Sequence, residues 1–291
     1  MTSARTRRKP MTIDELKTYS GEDRVISSVE MHMKLQAQPE ALVNVKSLIP
    51  ALDQAMEGFR DGELIAISGP TKNGKTLLAQ TLAVNMVKQQ EFPLFFTFEV
   101  PARQFLDQIR ENEALPPMMY MPAKLQVNAI DWVEERMQEA FHKYHTRVAV
   151  IDHLHYLVDI ARMKQPSLEI GTVIRTLKSI AVNNSFVIFL LCHTKMGKHE
   201  GSLSYESIRD SSFISQESDS VVMVKRTPEC GANVARARVE FHRRTGVIER
   251  PVCLVKQGPF LAEVQCEHKG NRELCPLAGG EGPCANAIDV Y

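Results

Sequence analysis

The eight residues Gly-Pro-Thr-Lys-Asn-Gly-Lys-Thr at positions 69–76 constrain this chain more than any other stretch. They fit the pattern GxxxxGK[ST]. They follow the short apolar run "LIAIS" (64–68) and lead into "GKTLLAQTLAVNMVKQ", whose apolar residues recur three and four apart. Strand, glycine loop, helix is the context in which that pattern binds phosphate. Gly69 and Gly74 let the backbone turn its N–H groups inward, with Pro70, Thr71, Lys72 and Asn73 forming the loop between them. Lys75 reaches the terminal phosphates and Thr76 offers a hydroxyl to Mg2+; Leu77 continues into a helix whose dipole adds positive potential. The expectation is a nucleoside triphosphate (NTP) site with Mg2+; the competing reading is a glycine turn that carries an exposed lysine.

Four further apolar runs, "LFFTF" (94–98), "VAVID" (148–152), "FVIFLL" (186–191) and "SVVMVK" (220–225), have amphipathic, helix-length segments among them. These segments are "ARQFLDQIREN", "AIDWVEERMQEAFHKYH" and "LEIGTVIRTLKSIAVNN". Strand and helix in alternation predict an α/β fold with a mainly parallel sheet covered on both faces. Two later segments, "ARARVEFHR" and "GVIERPVCLVKQGPFLAEV", alternate in the manner of strands around a Thr-Gly turn, and are read as an antiparallel extension of one edge. Before the first strand, "SLIPALDQAMEGFRDGE" (47–63) reads as a helix that ends at Gly62. The chain divides into an amino-terminal arm (1–45), an NTPase domain (46–264) and a Gly- and Pro-rich tail (265–291). The arm carries Arg5, Arg7, Arg8 and Lys9, then "TIDELKTYS", a short helix opened by a Thr cap.

With 35 basic and 35 acidic residues the net charge is zero, so any nucleic-acid contact must be local. No run approaches the roughly 18 consecutive apolar residues of a membrane span. The start "MTSARTRRKP" has no apolar core after its basic residues, so a cytoplasmic protein without signal peptide or membrane contact is expected. Six cysteines (Cys192, Cys230, Cys253, Cys266, Cys275, Cys284) are read as thiols in a reducing compartment. Cys266, His268, Cys275 and Cys284 offer a weaker zinc reading, because their spacing lacks the CxxC pairs of most structural sites.

Asp152 ends "VAVID", at the carboxyl end of a parallel strand, where such sheets place ligands; it is read as a holder of the Mg2+ shell. Glu99 in "LFFTFEVP" falls at the same edge. It is read as the base that accepts the proton of an attacking water, with a helix-capping acid as the alternative. His193 ends "FVIFLLCH" and leaves four readings: core imidazole, metal ligand, general base, or sensor of a bound group. A cysteine-based zinc site is not expected there, because Cys192 faces the other side of the strand.

The ordered set "SGPTKNGKT", "FTFEVP", "IRTLKSIAVNNSFVIFLLCHTK", "IRDSSFISQESDSVVMVKR" and "VEFHRRTG" resembles the RecA-like motor domain of the hexameric replicative helicases, the DnaB, phage primase-helicase and Twinkle group. The resemblance spans roughly residues 45–264 and omits arm and tail. It implies a RecA-like P-loop NTPase using ATP or another NTP, a homo-hexamer, single-stranded DNA as track, and primase or other replisome proteins as partners. It implies that His193 senses the terminal phosphate and that Arg243 is the finger supplied to a neighbouring subunit, with Arg244 one place off. The loop "TKMGKHEGSLSYESI" with the following Arg209 falls at the family's DNA-binding position, so Lys195, Lys198, His199 and Arg209 are expected to hold phosphates of a single strand.

Three departures stand beside the resemblance. Phe241 replaces the lysine that the family usually places two residues before the finger arginine. "RDSSF" lacks the family's glycine-rich run, and the arm leaves no room for a primase-like or DnaB-type amino-terminal domain. That brevity points to a phage- or plasmid-encoded ring helicase. The alternatives are a recombination mediator or helicase loader that does not unwind, and a RecA-like ATPase acting on proteins.

Overall fold

The computed structural model describes residues 11–21, 23–37, 44–110, 115–158, 166–193, 211–226 and 233–264. Thr12 opens the first helix as its sequence predicts. Its hydroxyl accepts from the Glu15 amide at 3.3 Å, while Glu15 Oε2 accepts from the Thr12 amide at 2.7 Å, a reciprocal cap on α1 (Ile13–Lys17). α1 and α2 (Ser28–Ala37) belong to one compact unit, Met1–Ala41; the elements that follow belong to a second, Leu42–Tyr291.

The helix read as running to Gly62 is α3 (Pro50–Met56), and it stops where Glu57 and Gly58 take left-handed φ angles of 58° and 84°. At Gly58 a Cβ would stand 2.7 Å from Asn44 Oδ1, so this turn requires glycine. The chain then reverses, and β2 (Phe59–Arg60) pairs antiparallel with β1 (Asn44–Val45).

The five apolar runs become β3 (Leu64–Gly69), β4 (Leu94–Thr97), β5 (Val148–Asp152), β6 (Val187–His193) and β7 (Ser220–Arg226). Between them lie α4 (Lys75–Val87), α5 (Ala102–Ile109), α6 (Ile130–Tyr144), α7 (Pro166–Asn183) and α8 (Ser211–Glu217). β8 (Val234–His242), β9 (Ile248–Gln257) and β10 (Phe260–Glu263) complete one eight-stranded sheet of order β10-β9-β8-β7-β3-β6-β5-β4. β3 pairs in parallel with β6 and β7, and β5 with β4 and β6; β8, β9 and β10 add antiparallel, as the alternating sequence predicts.

Successive side chains on a strand face opposite ways, so each central strand feeds two cores. Ile65, Ile67, Val150, Phe189 and Val222 pack with Leu78, Leu82 and Met86 of α4 and Phe105 of α5 on one face. Ala66, Ile151, Leu190 and Met223 pack with Val133 and Met137 of α6 and Ile174 and Leu177 of α7 on the other. Phe189 meets Phe59 edge to face, with ring centroids 4.7 Å apart. Truncating so buried a ring typically costs about 3–5 kcal/mol. Among the described residues no helix is long and apolar enough to cross a membrane.

Candidate nucleotide site

The phosphate loop is built as the pattern requires. A Cβ on Gly69 would lie 2.1 Å from the Val224 carbonyl oxygen, so only glycine lets β3 pass this close to β7. Gly74 caps α4 at φ 94°, and its carbonyl accepts from the Leu78 amide at 2.8 Å. Asn73 fastens the loop: its Oδ1 accepts from the Arg226 amide at 2.9 Å, and its Nδ2 donates to the Thr71 carbonyl at 3.0 Å. Lys75, largely buried, donates to the loop's own Gly69 and Pro70 carbonyls at 2.9 and 2.8 Å. That ammonium is held at the mouth of the loop by weak neutral acceptors, which an anionic oxygen would displace.

Parallel pairing sets the other groups in a row. His193 is the register partner of Gly69, Asp152 that of Thr97, and Glu99 stands two residues beyond Thr97. Thr97 Oγ1 donates to the Val100 carbonyl at 2.6 Å, which turns the chain at this point. The N-cap of α5 is Pro101, with no side-chain cap, so Glu99 does not cap this helix. Its Oε2 lies 3.2 Å from Nδ1 of His153, whose ring meets His193 edge to face at 4.2 Å. Lys72, Asn73, Lys75, Thr76, Glu99 and His193 line a cleft of about 370 Å³, with Gln108 of α5 and Lys256 and Pro259 of the β9–β10 hairpin on its walls.

Thr76 Oγ1 donates to Asp152 Oδ2 at 2.8 Å. A hydroxyl beside a carboxylate is the hard-oxygen donor set that suits Mg2+ carried in with phosphates, so these residues fit that cation. Burial raises the Asp152 carboxyl to about 6, with the Thr76 hydrogen bond opposing. Burial likewise lowers the Lys75 ammonium, against the pull of Glu99 and Asp152. His153 and His193 are both lowered to about 4, chiefly by burial and then by neighbouring positive or titratable groups, so both imidazoles are neutral near pH 7. Cys192 is buried in the second core and its thiol is pushed up to about 12, as a side chain facing away from His193 must be.

The two adjacent arginines have different surroundings. Arg244 is tied down, donating to Glu63 Oε1 at 3.1 Å, Glu57 Oε2 at 3.0 Å and the Met56 and Gly58 carbonyls at 2.6 and 2.9 Å. Arg243 is half-exposed, donates to the Gln216 and Ser218 carbonyls, and has Nη1 3.4 Å from Asp219. Asp219 precedes β7 and accepts from the Leu64 amide at the start of β3. Arg243 therefore sits at the edge where the parallel strands begin, and the phosphate loop at the edge where they end. The six residues of β3 separate these edges by roughly 17 Å.

Lys195, Lys198, His199 and Arg209 lie outside the described residues, as do Cys230, Cys266, His268, Cys275 and Cys284. Phe241 packs against the second core, where a lysine would bury its charge. His153, Gln108 and Lys256 were not singled out in the sequence. The signal for His153 was present in "IDHLHY", where an imidazole directly follows the strand-end aspartate.

Comparison with known proteins places this geometry among ATPases. The family described as the KaiC ATPases matches residues 45–200. The chain is 23% identical over 231 residues to a probable replicative DNA helicase of Trieres chinensis, covering 78% of the chain and 47% of that protein. It is 34% identical over 77 residues to the replicative DNA helicase DnaB of Treponema pallidum, covering 26% of the chain and 17% of that protein. The chain thus spans at most about half the length of these curated relatives. Among solved structures, a DnaB-like replicative helicase described with its primase interactions superposes with a TM-score of 0.67 at 16% identity, over 87% of this chain and 70% of that one. A second solved structure, an isolated ATPase domain, gives 0.66 at 15% identity, over 81% and 97%. A KaiC-like protein from Pyrococcus horikoshii gives 0.59 at 15% identity, over 77% and 100%. At these identities the superpositions establish the RecA-like fold.

Proposed function

The chain belongs to the KaiC ATPase family, and on that premise we propose that it is an ATP-dependent DNA helicase, a homo-hexameric ring that translocates on single-stranded DNA and separates duplex during replication. The observation that carries this reading is the placement of Arg243. It lies half-exposed at the sheet edge opposite its own phosphate loop, and no arginine is among the described residues lining that cleft. An arginine so placed serves a neighbour's nucleotide, and a chain that gives and receives one in this way closes into a ring. The relatives named replicative DNA helicase support the same reading.

Within one site, Lys75 exchanges the Gly69 and Pro70 carbonyls for the terminal phosphate of the NTP. Thr76 and Asp152 would hold Mg2+, which when bound would supply positive charge against the phosphates. Glu99 accepts the proton of the attacking water, and His153 orients the Glu99 carboxylate through the 3.2 Å contact. His193, in register with Gly69, touches the terminal phosphate and passes its loss along the segment that follows, where Lys195, Lys198, His199 and Arg209 would grip the strand. Six such segments around a ring make a basic channel despite zero net charge. By extension from the primase interactions in the name of the DnaB-like structure, primase is the first partner to test, in the cytoplasm.

The test is the ATPase rate with and without single-stranded DNA, beside the native mass and unwinding of a forked duplex. DNA stimulation, a hexameric mass and strand separation are expected; a rate indifferent to DNA overturns the reading. Phe241 favours a second reading, a recombination mediator or helicase loader, because an apolar ring stands two places before the finger where a cation is expected. Hydrolysis and DNA binding without strand separation would select it.

A further inference from the structure

We propose that Glu99, His153 and His193 form a binding site for a zinc-class divalent cation, and that its occupancy switches ATP turnover off by taking the carboxylate that the attacking water needs. The inhibitory half rests on the role given to Glu99 above; the binding half does not.

The three side chains each present one donor atom, and these atoms lie within 4.8 Å of one another. Zinc with nitrogen and oxygen donors at about 2.0–2.2 Å holds them roughly 3.3–3.6 Å apart in a tetrahedron. Glu99 Oε2 and His153 Nδ1 already stand at 3.2 Å, so a small inward rotation closes the set. Glu99 has the freedom for it, with a side chain 41% exposed on a loop, whereas the His153 side chain is 11% exposed. The two imidazoles sit at the ends of adjacent strands with rings 4.2 Å apart.

A second observation points to a ligand. Nδ1 of His193 is buried and has no hydrogen-bond partner among the described residues, an arrangement native structures rarely leave uncompensated. Two imidazoles and one carboxylate suit zinc and its neighbours in the transition series; Mg2+ prefers the oxygen pair of Thr76 and Asp152 next door. Cys192 faces away from His193, and the fold supplies an imidazole and a carboxylate instead. Three protein donors leave a fourth position, and Glu99 and His193 both line the nucleotide cleft, so metal and terminal phosphate contend for one space.

The experiment uses the full chain, free of nucleotide, with Cys230→Ser, Cys266→Ser, Cys275→Ser and Cys284→Ser together to silence these thiols. Zn2+ is titrated against a chromogenic chelator, and Co2+ serves as a spectroscopic probe. One Zn2+ per chain is expected, with intense visible Co2+ bands of a four-coordinate site and no thiolate charge transfer. His153→Asn and His193→Asn should each weaken binding at least about tenfold. Glu99→Gln, on an exposed loop, should do the same should either histidine variant misfold. Absence of zinc binding, or affinity unchanged in all three variants, overturns the site. Zn2+ should also slow ATP turnover of the native chain until a chelator is added; binding with undiminished turnover overturns the inhibitory half. Should metal-free protein hydrolyse no ATP at all, the proposed function fails instead. Competition between Zn2+ and a fluorescent ATP analogue then decides the remaining claim: mutual exclusion supports it and independent binding overturns it.

Discussion

Thr76 Oγ1 donates to Asp152 Oδ2 across 2.8 Å, so the first turn of α4 and the last residue of β5 are tied through two oxygens beside the phosphate loop. This carboxylate is nearly sealed from water, and its pKa is raised from 3.8 to about 6 by burial.

Asp152→Asn should therefore stabilise the nucleotide-free protein while removing Mg2+-dependent turnover. Because the folded-state pKa exceeds the unfolded one, the folded chain binds the proton more tightly. The ionised carboxylate costs up to about 3 kcal/mol at pH 7, and this cost fades as pH falls through 6 toward 4. Melting temperatures of both proteins at pH 8, 6 and 4 check the sign: the gain should be largest at pH 8 and absent near pH 4. A gain that ignores pH would reject burial of the charge as its cause.

Glu99→Gln keeps the size of the side chain and its reach to His153 but cannot accept a proton. Turnover should fall by about 10²–10⁴-fold, the usual scale for a general base, while affinity for a fluorescent ATP analogue stays within a few-fold. Retained turnover would remove Glu99 from the base role.

Arg243→Ala and Arg244→Ala should separate function from stability. Loss of Arg243 should lower turnover by about 10³-fold or more with little change in melting temperature, since its contacts are half-exposed. Loss of Arg244 strips partners from Glu63 and Glu57 and from two carbonyls, and should cost about 1–3 kcal/mol in denaturant unfolding. A stable Arg244→Ala protein without turnover would exchange the two roles.

His193→Ala should leave ATP binding intact and abolish the acceleration of hydrolysis by single-stranded DNA. Steady-state rates across a DNA titration check this. A variant still accelerated by DNA would place the relay elsewhere.

The five central strands and helices α4 to α7 were legible because their periodicity is unambiguous: runs such as Val148–Asp152 are buried along their whole length, and Trp132, Val133, Met137 and Ala140 recur at helical spacing; α1 was legible from its Thr cap. The end of α3 was not, because Glu57 adopts a left-handed conformation that its residue type does not announce, and Gly62 is the more obvious stop. In the site, the phosphate loop, Asp152 and His193 follow from motif and strand-end position alone. What linear reading missed were neighbours across strands. The 3.2 Å meeting of Glu99 with His153 depends on β4 lying beside β5, and the contribution of Lys256 depends on a hairpin that returns past α4. Sequence patterns report which way a side chain faces on its own element; they carry little about which element lies next to it.

The central place of β3 also bears on how the chain is made. Its two partners, β6 and β7, begin more than 120 residues later, so the first core strand to leave the ribosome is among the last to be fully paired. Gly69 takes up its position against Val224, so the nucleotide pocket forms only after the chain has been synthesised beyond that residue. Pairing at such separation is slow, because the loop entropy is lost before the contacts form. ATP therefore cannot act as a ligand that guides early folding of the nascent chain; it can only lock in a sheet that has already closed.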